Sequence, residues 1–252
     1  MDIQRKDAGK KRLIRRIAIG VVLLPDLARA LRAGRNDIAD HTQNRALEFA
    51  AALTLPAAVA LAVIPGPIIA VLFQRGAFTA ADTAATAPAL AAYAVGLPAF
   101  VAIKVFQPGY FAREDTKTPM WYGGVSMAVN VVAAFGLFYL FGHVGIAAAT
   151  SLAAWVNTGL LVYTLHKRGH MPVDAVLRKR LPLLALAAVL MGVGLYVAAW
   201  LLAPYLADAR LLVRVAIIGA LVLIGLVLFL AFCQATGAVD FREIVRRLRA
   251  RR

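Results

Sequence analysis

The chain has 252 residues, of which 62% are hydrophobic and 16% charged, with a mean hydropathy of +0.75 and a formal net charge of +15. The charges cluster between long apolar blocks, which excludes a soluble domain with a polar surface and indicates a polytopic membrane protein. Lys and Arg sit at the ends of these blocks and not on one amphipathic face, so the basic balance reports membrane topology, and nucleic acid is not an expected partner.

Residues 1–16 form a basic tail with Arg5, Lys6, Lys10, Lys11, Arg12, Arg15 and Arg16, and no cleavage site of small residues follows it. Ile17–Leu24 is apolar but amounts to only about 12 Å of helix, too short for a hydrocarbon core of about 30 Å. The basic residues before it disfavour translocation, so this piece is not expected to span. Residues 17–45 then lead through an amphipathic cytoplasmic link to the first span.

Six apolar segments are long enough to cross: Ala46–Phe73, Thr83–Phe111, Pro119–Phe141, His143–Leu165, Leu181–Ala203 and Leu211–Cys233. Four of them fill residues 46–165, a basic loop covers 166–180, and a helix pair covers 181–233. Alternating transmembrane strands are not seen, so the fold class is all-α. Between the first two spans, Thr79 and Asp82 have the spacing of a capping box, with a turn expected at Gly76 and a helix after Thr79. Pro56, Pro65 and Pro67 interrupt the first span, and Pro88, Pro98 and Pro108 the second; each removes a backbone donor and acts as either a static kink or a hinge. Ala87/Ala91 and Ala92/Gly96 are small-residue pairs suited to close helix packing. In the tail 234–252, Phe241, Ile244, Val245 and Leu248 lie at helical spacing among arginines, as in an interfacial helix that binds membrane lipids.

One set of loops and ends, including Arg45, Arg113, Arg168 and Arg180, holds seventeen basic residues, and the alternate ends hold only Arg75, Arg210 and Arg214. The bias predicts six spans with both termini in the cytoplasm. Cys233 is the only cysteine, so neither a disulfide framework nor a metal cluster is expected. His41, His166 and His170 fall in polar links and His143 in a short outer turn, where surface histidines are the ordinary reading. Metalloprotease, phosphate-loop and nucleophile-elbow motifs are absent. No cofactor, metal site or catalytic residue is expected, and the chain does not read as an enzyme.

Polar residues inside the spans are the remaining candidates. Asn130 and Asn157 lie near the middle of adjacent helices, as interhelical hydrogen-bonding groups or as substrate contacts. Lys104 lies seven residues before Phe111, about 10 Å of helix from the inner end. It either snorkels to the headgroups or faces a water-filled, anion-accepting cavity.

Several stretches together resemble the MviN/MurJ family: "LPAA" at Leu55–Ala58, "LFQRGAFTAAD" at Leu72–Asp82, "YAVGLPAF" at Tyr93–Phe100 and "KVFQPGYFAREDTKTP" at Lys104–Pro119. "IAIGVVLLPDLARA" at Ile17–Ala30 and the positions of Asn130 and Asn157 extend the likeness, which weakens after Leu181. The resemblance implies a bacterial lipid II flippase of the multidrug and oligosaccharidyl-lipid exporter group. Such a protein has two lobes around a cationic cavity and two extra C-terminal helices forming a lipid groove. It implies further that this chain is the C-terminal portion of such a protein, beginning at the end of the eighth of fourteen helices. Ile17–Leu24 would then be the remnant of a truncated helix. The expected location is the bacterial inner membrane and the expected partner lipid II, the undecaprenyl-pyrophosphate-linked peptidoglycan precursor. A separately encoded N-terminal lobe is a further candidate partner, since alone the chain is not expected to transport. Lys104, Asn130 and Asn157 become candidate contacts for the anionic headgroup; Pro98, Pro108, Gly109, Arg75 and Gly76 become candidate hinge and loop positions. The alternatives are a subunit of a split exporter of the same group, or a membrane scaffold without transport activity.

Overall fold

The structure, a computed structural model, describes residues 27–170, 173–207 and 211–237. The expectations for the basic N-terminal tail, for Ile17–Leu24 and for the arginine-rich tail after residue 237 lie outside these residues. Among the described residues seven helices follow a short helical stretch at 27–32: α1 Asn36–Val63, α2 Pro65–Phe73, α3 Ala80–Phe111, α4 Lys117–Phe141, α5 His143–Lys167, α6 Ala175–Ala207 and α7 Leu211–Ala235. All but α2 are long and apolar enough to cross a membrane, which makes an all-α polytopic architecture, in agreement with the hydropathy reading.

The first expected span differs in detail. Its helix starts ten residues early, at Asn36, and is broken at Ile64 before Pro65. Proline cannot donate to the preceding turn, and its ring pushes the residue before it out of helical geometry. Ile64 accordingly has φ −122° and ψ 44°. The break is buried, with Ile64 packed against Leu195 of α6 and Leu221 of α7. At the other end of the α2–α3 loop the capping box forms as its spacing predicts. The Thr79 amide donates to Asp82 Oδ2 at 2.8 Å, and the Asp82 amide donates to Thr79 Oγ1 at 3.3 Å.

The spatial order of neighbours is α4–α5–α3–α1–α6–α7. Ala99, Ile103, Phe106 and Tyr110 of α3 pack on Ala154, Leu161 and Leu165 of α5. On the far side of α1, Ala51 meets Leu184, Ala187, Ala188 and Met191 of α6, with Phe229 and Cys233 of α7 behind them. The helix pair α6/α7 is thus fastened to the rest through α1.

The α3–α5 seam is close because of Gly96. A Cβ there would lie 2.5 Å from Ser151 Oγ and 2.9 Å from Ser151 Cα. Polar groups of α5 use this proximity. Ser151 donates to the Ala92 carbonyl at 2.6 Å, Trp155 Nε1 to Val95 at 3.0 Å and Thr158 to Ala99 at 3.0 Å. His143 Nε2 meets the Ala85 carbonyl at 2.7 Å. Val95 and Ala85 each precede a proline (Pro98, Pro88) by three residues, in the turn whose hydrogen-bond ladder a proline disturbs. Neighbouring side chains supply donors there, as lipid does not. His143 is exposed but engaged, a role its position in a short turn does not announce.

Candidate functional site: two faces of α3 and a charged end of the bundle

Lys104 is exposed on α3. It shares a helical face with Tyr93, Phe100 and Phe111, all likewise exposed, at spacings of seven, four and seven residues. That stripe is uncovered by any other described helix. On the other side of α3, Pro98, Ala102 and Phe106 line a half-open cavity of about 520 Å³ bounded by α1, α5 and α6. Lys104 stands two residues from both Ala102 and Phe106, roughly 200° around a helix of 3.6 residues per turn. The lysine and the cavity are therefore on opposite faces.

The remaining candidates do not assemble around Lys104. Asn130 and Asn157 are not partners of each other. Asn130 Oδ1 accepts from Thr150 Oγ1 at 3.5 Å, and Asn157 Oδ1 is buried without a hydrogen-bond partner among the described residues. The α4–α5 seam is instead held by Tyr122 with Thr164 at 2.6 Å and by Ser126 donating to the Ala153 carbonyl at 2.8 Å. With Asn130–Thr150, these contacts recur every fourth residue of α4. In this antiparallel register Asn157 stands two helical turns from Thr150, which is why two asparagines at mid-helix do not meet.

Arg75 and Gly76 lie in the α2–α3 loop, where Gly76 takes φ +60° and Phe73 and Phe78 pack their rings 6.2 Å apart. Twenty-four residues of α3 separate Ala80 from Lys104, about 36 Å at 1.5 Å per residue, so that loop and Lys104 belong to opposite ends. Gly109 is a point of close approach: a Cβ would lie 2.8 Å from Gln43 Nε2. Gln43 itself is fully buried, with neither side-chain polar atom hydrogen-bonded among the described residues.

Sequence reasoning missed the ion pairs that join five elements at one end of the bundle. Glu48 of α1 binds Arg45 on its own helix and Arg180 of α6, the latter at 2.6 Å. Arg45 also reaches Asp174, before α6, at 2.5 Å. Arg113, after α3, pairs with Asp40 of α1 at 3.6 Å and donates to the His170 carbonyl at 3.2 Å. Arg168, after α5, pairs with Asp115 of the α3–α4 loop at 2.6 Å. The only local signal was the i, i+3 spacing of Arg45 and Glu48; the other partners are more than fifty residues apart. The arginines that set the topological charge bias are thus also the bolts of this end of the bundle.

Asp115 shows the electrostatic consequence. Its burial raises the carboxyl pKa, but the Thr118 amide and hydroxyl and the Arg168 guanidinium outweigh it and bring the value down to about 2. Burial, followed by the charges of Arg113 and Arg168, lowers the pKa of His170. A carboxylate with a depressed folded pKa stabilises fully above its unfolded value of about 3.9 and loses that contribution as pH falls through the folded value. In detergent, wild-type protein should therefore lose part of its thermal stability between about pH 4 and pH 2, and Asp115→Asn should lose less. Thermal unfolding followed by tryptophan fluorescence checks this; identical pH profiles would remove Asp115 from the account.

The architecture defines a class: a multi-pass α-helical membrane protein carrying a compact bundle and an appended helix pair. Among the described residues no group of three or more His, Cys, Asp or Glu could hold a metal ion. The family profile described as "Lipid II flippase MurJ" matches residues 14–232. The chain belongs to that family. It is 46% identical over 231 residues to a probable lipid II flippase MurJ of Rhizobium meliloti (strain 1021), a match covering 91% of this chain and 43% of that protein. With the corresponding protein of Rickettsia prowazekii it shares 31% identity over 226 residues, covering 89% of this chain and 44% of the relative. A solved structure of lipid II flippase MurJ in an inward closed conformation superposes with a TM-score of 0.67 at 23% identity, over 94% of this chain and 46% of that one. The chain thus spans less than half the length of these relatives.

Proposed function

We propose that this chain forms the C-terminal part of a lipid II flippase of the bacterial inner membrane. In this reading the uncovered Lys104 face of α3 lines the path of the anionic headgroup. The observation that carries it is the family match across all six spans. The position of Lys104, on the face turned away from the packed cavity, supports its role. More than half of each relative's length lies outside the matched region, and that remainder is read as supplying the facing lobe, in the same polypeptide or in another. Alternating access needs two lobes moving about one site, so the chain alone is not expected to flip lipid II. The charge bias places the end bearing Arg45, Arg113, Arg168 and Arg180 in the cytoplasm, with both termini. A lone ammonium there attracts a pyrophosphate as a point charge. Asn130, held by Thr150, and Asn157 are weaker candidates for contact.

The test is complementation of cells depleted of their own flippase. A chimera joining the N-terminal part of the Rhizobium relative to this chain should restore growth, and the chain alone should not. In the chimera, Lys104→Glu should abolish rescue and Lys104→Arg should preserve it. Rescue by the chain alone would remove the need for a facing lobe. Full rescue by Lys104→Glu would leave the lysine with nothing but snorkelling.

A further inference from the structure

The cavity behind α3 has a chemistry of its own. It is lined on α1 by residues from Leu47 to Leu55, on α3 by Pro98, Ala102 and Phe106, on α5 by residues from Trp155 to Val162, and on α6 by residues from Leu177 to Ala185. At about 520 Å³ it falls within the roughly 300–1,000 Å³ of small-molecule sites. Its polar neighbours are already engaged. Thr54 donates to the Ala50 carbonyl at 2.8 Å, Thr158 to Ala99 at 3.0 Å and Trp155 to Val95 at 3.0 Å. Among the described residues Arg178 is the single charged one on the lining. It is exposed, and its guanidinium makes no ion pair with a described residue. Nearby, Arg45, Arg113, Arg168 and Arg180 all hold carboxylates.

The dimensions also bear on the occupant. From Leu47 to Leu55, eight helical steps of α1 correspond to about 12 Å along the helix. This is somewhat less than half of a hydrocarbon core of about 30 Å, so the cavity is no deeper than one leaflet. Arg178 stands at its edge, at the end of the bundle where the paired arginines gather. An apolar slot one leaflet deep with one uncompensated guanidinium at the headgroup level complements a single acyl chain beneath a phosphate.

We infer that this cavity is a binding site for an anionic phospholipid of that leaflet, with one acyl chain between α1, α3, α5 and α6 and its phosphate on Arg178. The site is separate from the Lys104 face, on the other side of α3, and its occupant is a resident lipid wedged between α6 and the bundle. It does not depend on transport, because occupancy is measured without flipping.

Native mass spectrometry of the delipidated full chain, offered phosphatidylglycerol and phosphatidylcholine of matched chains, tests the site. Phosphatidylglycerol should be retained about tenfold more than phosphatidylcholine, and Arg178→Gln should erase that preference. Lys179→Gln removes a neighbouring exposed charge that is not on the lining and should leave the preference intact. Ala185→Phe, which fills the cavity, should lower retention of both lipids; should that variant not fold, the Arg178 and Lys179 pair decides alone. Equal retention of the two phospholipids, or equal loss in Lys179→Gln, would overturn the proposal. Displacement of phosphatidylglycerol by equimolar undecaprenyl phosphate in wild type but not in Arg178→Gln would overturn it too, by assigning the cavity to isoprenoid lipids.

Discussion

Glu48→Ala should destabilise the protein by about 2 kcal/mol, one of the largest losses expected from a single side chain here. Glu48 is mostly buried, at 15% side-chain exposure, and holds two arginines, Arg45 and Arg180, which are 29% and 34% exposed. Removing one partner of a fully buried pair costs about 3–5 kcal/mol because a charge is left uncompensated. Here both guanidiniums retain access to water, and Arg45 keeps Asp174, so the lower figure is appropriate. The consequence should be local: α6 loosens from α1 at the end where Val173, Leu177 and Arg178 edge the lipid cavity. Thermal unfolding in detergent measures the loss. A double-mutant cycle with Arg180→Leu should return a coupling of roughly 1 kcal/mol between residues 132 positions apart. A loss under about 0.5 kcal/mol would mean the ion pairs are solvated decoration.

Gly96→Val should be comparably damaging for a different reason. The first added carbon already lies 2.9 Å from the Ser151 Cα, which is main chain and cannot rotate away. Helix α5 would have to retreat, breaking the Ser151–Ala92 bond and stretching those of Trp155 and Thr158. Overpacking of this kind costs about 1–3 kcal/mol before any lost hydrogen bonds are counted. Gly96→Ala should fall between wild type and valine, since it adds the offending carbon and nothing more. Unfolding midpoints that fail to descend from glycine to alanine to valine would contradict the close α3–α5 packing. Gly124→Ala serves as the control, because open space surrounds that glycine.

Much of this was legible in the residues. Apolar runs of twenty or more must become helices in lipid, since no other open structure pairs the backbone. All six spans were therefore visible; the first was redrawn most, by its start at Asn36 and the break that Pro65 forces at Ile64, and α6 begins six residues before the expected Leu181. Thr79 and Asp82 act within four residues, so their capping box was readable too. The family resemblance rested on short motifs whose order along the chain is enough to recognise. What the sequence by itself determined is thus what depends on the solvent along the chain: how many apolar spans there are, roughly which residues they take, and which ends carry the positive charge.

The tertiary structure alone decided which faces meet. Asn130 and Asn157 both lie at mid-helix depth, where an interhelical hydrogen bond was one reading, but the α4–α5 register gives Asn130 to Thr150 and passes Asn157 by. Lys104, a candidate headgroup contact, and Pro98, a candidate hinge, lie six residues apart on α3, and the fold turns one to the open face and the other to the cavity. Glu48 looked incidental until α6 folded back against α1 and brought Arg180 to it. Hydropathy is a sum over neighbours in the chain and carries no record of helix rotation or order. Those follow from the packing of small residues such as Gly96 and from ion pairs between distant segments, which exist only once the bundle has formed.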